Sequence, residues 1–130
     1  MRNLLFFILL ISNTYAYAGW VLVQTSYDDN VIFYVDPDTI QRKGNTLRVW
    51  EKLEYKKPEN YLNFTFQSAR ALVEYDCKEK KSRLLSQDYF SQPELKGKSV
   101  YNLNTPNAEW TFIPPQTTGA YSMNSLCNKR

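Results

Sequence analysis

Apolar and polar side chains alternate along most of the chain in short runs bounded by Gly, Pro, Asn and Asp, the period-two pattern of β-strands. The first run is Trp20 to Thr25, and Asp28-Asp29-Asn30 turns it into a second, Val31 to Val35, whose continuous apolar character predicts burial on both faces. Asp36-Pro37-Asp38 ends that strand, because proline donates nothing to a ladder and a flanking Asp can bond the backbone just ahead of it. Lys43-Gly44-Asn45 predicts the next turn and opens a strand from Thr46 to Tyr55. In it Leu47, Val49, Leu53 and Tyr55 share one face with a single polar exception, Glu51. The other face carries Arg48, Trp50, Lys52 and Glu54, and an indole among charges predicts a ring covered by the stems of neighbouring Lys or Arg. By its proline and charges, Lys56 to Asn60 reads as a loop. A further strand from Ser68 to Cys77 sets Ala69, Ala71, Val73, Tyr75 and Cys77 against Arg70, Leu72, Glu74 and Asp76, which puts Cys77 on the core side.

Lys78-Glu79-Lys80-Lys81 is a charged hairpin turn. Weaker strand patterns follow at Ser82 to Phe90 and Ser99 to Leu103, and Trp110 to Ile113 is either a last strand or a core-packing loop stopped by Pro114-Pro115. Thr117 and Thr118 can then cap a short helix reaching Cys127, with Ala120, Met123 and Cys127 on one stripe. The pattern therefore predicts an α+β domain of two layers, an antiparallel β-sheet with a C-terminal α-helix packed on it.

The N-terminus breaks this pattern. Arg2 precedes an unbroken apolar run, Leu4 to Ile11, then Ser12 to Thr14 and the small-x-small triplet Ala16-Tyr17-Ala18, the layout of a cleavable secretory signal. Cleavage is expected between Ala18 and Gly19, leaving residues 19–130 as one domain, periplasmic or secreted. The apolar run is far short of the ~20 residues a spanning helix needs, so no transmembrane anchor is expected. Nor is lipidation, which would need a cysteine where Gly19 stands. Export also bears on the two cysteines, which tend to pair in an oxidising compartment. A Cys77–Cys127 bridge would close a loop of about 51 residues, worth about 4 kcal/mol in the chain-entropy model.

Composition removes most catalytic readings. The chain has no histidine, so His-based hydrolases and His-ligated metal sites are excluded. No Ser-x-x-Lys occurs, and the four glycines form no phosphate-cradling loop. No cofactor or metal site is expected; Asp28, Asp29, Asp36 and Asp38 lack the spacing of a calcium loop and suit turns instead. Glu74 and Asp76, two apart on a strand, could serve as acid and base, although alternation alone would place them on a solvated face. Basic residues gather in the predicted turns and could form a patch for sulfated glycans, acidic proteins or membrane phosphates if several turns share one end of the sheet. The small net charge, formally +3 for the whole chain, argues against nucleic acid as a partner. Tyr61, Phe64 and Phe66, interleaved with polar residues, are either core or an exposed recognition strip.

The succession Trp20, Tyr34-Val35-Asp36 with Thr39-Ile40, Val49-Trp50, Glu74-Tyr75-Asp76-Cys77, Pro114 and Cys127 resembles the surface-adhesin protein E family of proteobacteria over nearly all of residues 19–130. The resemblance implies a curved antiparallel sheet with a C-terminal helix tied to it by a disulfide, and it matches Cys77 and Cys127 to the family's bridging pair. For the adhesin that names the family it implies binding of host matrix and plasma proteins such as laminin and vitronectin. That adhesin is a surface lipoprotein, and Gly19 departs from it; no binding residue is carried over. Three classes of function follow. An exported, non-catalytic binding module with a protein partner leads, a periplasmic immunity or inhibitor protein against a toxin or hydrolase is the alternative, and an enzyme using Glu74 and Asp76 comes last.

Overall fold

Each strand boundary has a local cause. After β1 (Val21–Thr25), the Asp28 carboxylate accepts from the Ser26 hydroxyl and the Asn30 amide, so the turn is built from side-chain acceptors before β2 (Val31–Val35) begins. Asp36 stops β2 by accepting from the Asp38 amide at 3.1 Å, which caps a short 3-10 turn over Pro37–Thr39. A small strand, β3 (Gln41–Lys43), then folds back through Gly44, held at φ +59, into β4 (Thr46–Tyr61). The long strands β5 (Phe64–Asp76) and β6 (Lys81–Phe90) follow, then β7 (Ser99–Asn104), the two-residue β8 (Thr111–Phe112) and α1 (Thr118–Cys127). These positions come from a computed structural model that describes residues 19–128. The expected leader, with Ala18 at its end, lies outside the described residues, as do Lys129 and Arg130.

All pairings are antiparallel, in the order β1-β2-β4-β5-β6-β7, with β3 added to β4 and β8 to β6. The α+β architecture is the one the sequence predicts. Several boundaries differ: β3 has no counterpart among the expected strands, Cys77 falls in the turn after β5, Lys81 already belongs to β6, and two larger shifts bear on the site. Lys56 to Asn60 is not a loop but the continuation of β4, and Pro58 is tolerated because the β4–β5 register shifts between Glu54 and Glu59, where no ladder bond is asked of it. The chain there is held from the other side, Lys56 N–H donating to the Asn30 carbonyl at 2.8 Å. In turn β5 begins at Phe64, so Tyr61 and Phe64 face each other across a two-residue hairpin, Leu62-Asn63. Burial of β2 is also less complete than its apolar run predicts: Val35 is buried, while Val31 to Tyr34 are partly exposed, since among the described residues no helix covers the second face of the sheet.

One face takes the helix. Val35, Leu47, Val49 and Tyr75 pack against Met123 and Leu126 of α1, whose first turn is capped by Thr117 Oγ1 accepting from the Ala120 amide at 3.2 Å. The helical stripe is wider than the Ala120–Met123–Cys127 line read from the sequence, because Ser122 and Leu126 are buried as well. Ser122 accepts from Gln24 Nε2 at 2.9 Å, which fastens the helix to β1. At its far end Cys127 is joined to Cys77, with 5.8 Å between their Cα atoms, within the range a disulfide spans without moving backbone. Among the described residues no helix is long and apolar enough to cross a membrane.

Candidate functional site

The carboxylates that the sequence offered as an acid and base pair are committed elsewhere. Glu74 is only 5% exposed, not on a solvated face as alternation predicts. The sheet register sets it between Arg48 on β4 and Arg83 on β6, and each guanidinium takes one of its oxygens, Arg83 at 2.9 Å. Asp76, two residues on, accepts from the amides of Lys78 and Glu79 at 3.0 and 2.9 Å and so builds the β5–β6 turn. Glu74 thus ties three strands together, and Asp76 holds a hairpin through one of its oxygens. The aspartates in the first two turns likewise act as backbone acceptors; hydrogen bonds from Ser26 and Asn30 hold the Asp28 carboxyl below its usual value. No cluster of metal-ligating side chains forms among the described residues.

The basic turns divide between the two ends of the sheet. The β3–β4 and β5–β6 turns, with Lys43 and Lys78 to Lys80, lie at the same end of the sheet, because Thr46 pairs with Asp76 and Asp76 with Lys81. Lys56, Lys57, Lys96 and Lys98 lie toward the opposite end, where Lys57 N–H reaches Asn30 and Lys98 N–H reaches Ser91. Trp50 sits in the charged face with the Arg70 guanidinium 5.8 Å from its ring centre, the arrangement expected of an indole flanked by cations.

What the structure does assemble is an aromatic surface on the helix-bearing face, at the end the helix leaves uncovered. Register places Tyr55 on the same face as Leu53, Val49 and Leu47, and aligns Leu53, Ala69, Tyr89 and Tyr101 in one row across β4, β5, β6 and β7. Phe66 fills the space between Tyr55 and Tyr89, with ring centres 4.9 and 4.6 Å away in edge-to-face contact. Phe64 stacks on Tyr101 at 5.1 Å with an interplanar angle of 12°, and Tyr61 closes the cluster edge-on against both. Burial pushes the Tyr55 hydroxyl up to about 12, with Tyr89 and Glu59 adding to it, and raises Tyr89 as well, so these phenols stay neutral. Tyr61, Phe64 and Phe66 are thus both things the sequence allowed: Phe66 is core, while Tyr61 is 54% exposed at the tip.

Beside Tyr61 stands Leu62, 74% exposed and held at φ +53. A left-handed leucine costs about 1–2 kcal/mol, and an exposed one returns nothing to the fold by burial. Sequence reading missed Tyr55, Tyr89 and Tyr101 as members of this surface; their period-two positions carry no sign of which rows meet. It is an apolar, hydroxyl-fringed platform of the kind that supplies contact area.

Comparison with known proteins agrees with this architecture. A search of curated proteins gave no match. Among solved structures, protein E of Haemophilus influenzae superimposes with a TM-score of 0.59 at 14% identity, covering 86% of each chain. A second crystal form of that protein gives 0.62 at 12% identity over 86% of this chain and 89% of the other. Protein E from non-typeable Haemophilus influenzae gives 0.60 at 14% identity over 88% of this chain and 79% of the other. At such identities the likeness is one of fold. The sequence model of the surface-adhesin protein E family matches residues 20–128, nearly every described residue, and the chain belongs to that family.

Proposed function

We propose that this chain is an exported, non-catalytic, adhesin-type module that grips a host protein with the aromatic end of its helix-bearing face. Residues 1–18 would direct export and be removed between Ala18 and Gly19, releasing the domain unlipidated to the periplasm or beyond. The observation that carries the reading is the exposed tip of the aromatic cluster: Tyr61 and a left-handed Leu62, presented by the longest hairpin and backed by Phe64, Phe66 and Tyr101. Tyrosine is suited to such a place, since it supplies contact area at small entropic expense and keeps a hydroxyl for the rim. Family membership favours this over a periplasmic inhibitor or immunity protein, and no observation on the chain calls for the latter.

Surface plasmon resonance on residues 19–130, with immobilised host matrix proteins and a periplasmic extract as separate ligands, tests the proposal. Saturable binding to a matrix protein that falls at least ~10-fold in Leu62→Asp or Tyr61→Ser is expected, as for residues at the centre of an interface. Retention of full affinity in both variants would refute the assignment of this surface.

A further inference from the structure

The opposite face of the sheet carries a chemically different surface. Register runs Gln41, Arg48, Glu74 and Arg83 across β3, β4, β5 and β6 in one row. Over that row lies a cleft of about 430 Å³ lined by Lys43, Arg48 and Arg83 against the carboxylate of Glu74, with Arg42 at its edge turning its guanidinium to the Leu126 carbonyl on the helix-bearing side. Glu74 is buried and shared between two guanidiniums, so it orients the arginines without cancelling the field of the cleft. Arg48 gives it only Nε, and half of the Arg48 side chain stays exposed. Arg83 is fixed further by the Trp110 ring at 4.4 Å, and its own Nε is buried without a hydrogen-bond partner. Rigid, cation-rich and already aligned, the cleft suits a planar or tetrahedral oxyanion.

Gln41 and Arg48 also line a neighbouring cleft of about 340 Å³, where the other walls are Trp50, Thr39, Leu72 and Asp38. Its character differs: an indole and a carboxylate, with Arg48 at the boundary and the Thr39 hydroxyl engaged between the Asp36 carbonyl and the Trp50 amide. Asp38 would repel an anion there but accept hydroxyl donors, and an indole offers its face to the C–H side of a ring. An anionic group on one side of Arg48 and a polyhydroxylated ring over Trp50 on the other are two parts of one kind of molecule. We infer that the two clefts form a binding groove for an acidic saccharide, a sugar chain bearing sulfate or carboxylate groups. A polyglutamate chain would use the cationic cleft but brings neither ring nor hydroxyl to the Trp50 and Asp38 side. This site lies on the face away from the aromatic platform and stands or falls independently of it.

Calorimetric titration of residues 19–130, disulfide intact, tests it with four probes: a heparin-derived hexasaccharide, an oligogalacturonate, maltohexaose and polyglutamate. The two acidic sugars are expected to bind, with the neutral sugar silent and polyglutamate weaker by ~10-fold or more. Arg48→Lys keeps the charge beside Glu74 but loses the fork, and Trp50→Leu removes the ring; each is expected to weaken acidic-sugar binding ~10-fold. Gln41→Ala, at an exposed position common to both clefts, guards against misfolding of either variant and is expected to weaken binding roughly 3-fold. Lys96→Gln combined with Lys98→Gln, at the other end of the sheet, should change affinity little. Failure of both acidic sugars to bind, polyglutamate binding as tightly as they do, or Lys96 and Lys98 mattering as much as Arg48 would each overturn the inference.

Discussion

Glu51 is the polar residue in an otherwise apolar line of β4, and replacing it by glutamine has a calculable effect. Its row across the sheet runs Val35, Glu51, Ala71, and its carboxylate accepts from the Tyr75 hydroxyl at 2.6 Å. Burial lifts its pKa from 4.5 to about 7, the Tyr75 hydrogen bond offsetting part of that, and Tyr75 is itself pushed well above its ordinary value by burial and by Glu51. The folded chain therefore holds this proton more tightly than the unfolded chain does. Stability from this source is complete below the unfolded value of 4.5, declines as pH rises, and is gone above about 7. The difference corresponds to about 3 kcal/mol at most. Glu51→Gln keeps the shape and an acceptor for Tyr75 but cannot ionise. Urea unfolding of both proteins across pH should show them within ~0.5 kcal/mol of each other near pH 4 and the variant ahead by up to ~3 kcal/mol near pH 8. Because every other titrating group is common to the two, the difference curve isolates Glu51. A flat difference between those limits, or a native protein that is the more stable at the alkaline end, would refute the reasoning.

The remaining predictions concern single supports of the fold and the platform. Cys77→Ser with Cys127→Ser should lower stability by about 4 kcal/mol in equilibrium unfolding, and intact exported protein should show no free thiol under denaturing conditions. Glu74→Ala leaves Arg48 and Arg83 facing each other without their common anion, and should cost about 3 kcal/mol by urea melting; a loss below ~0.5 kcal/mol would mean the pair is not a support. Thr117→Ala, which removes the helix cap, should cost about 1 kcal/mol. Leu62→Gly relieves the left-handed leucine and should leave stability unchanged or raise it by up to ~1 kcal/mol while weakening partner binding, a split that a purely structural turn would not give.

Features set by neighbours along the chain are legible in the sequence alone. Asp36 ending β2, Gly44 turning into β4 and Thr117 starting α1 are all bonds or dihedrals within three residues of their cause. The bridge is legible for a different reason, since two cysteines behind an expected leader leave one pairing. What the sequence withholds depends on register. Glu74 reads as a solvent-facing alternate until β4 and β6 bring Arg48 and Arg83 opposite it. Lys56 to Asn60 reads as a loop because Pro58 forbids a regular ladder, and only the shift between Glu54 and Glu59 makes room for it. Tyr55, Phe64, Tyr89 and Tyr101 come from four strands and share no local signature at all.

Why the aromatic end is open follows from lengths. A helix of ten residues spans about 15 Å, whereas the 16 residues of β4 extend about 50 Å, so α1 can cover only a part of its face. The disulfide decides which part: Cys77 opens the β5–β6 turn just past the end of β5 and Cys127 ends the helix, which pins α1 over Leu47, Val49 and Tyr75. From Tyr55 outward the face must be satisfied without a second layer, and rings meeting edge-to-face bury one another where aliphatic side chains would lie open. The platform and the helix are then separate packing units on one sheet. Reduction of the bridge should loosen α1 while leaving the near-ultraviolet signal of the aromatic cluster in place; simultaneous loss of both would show that the helix, not the rings, sustains the open end.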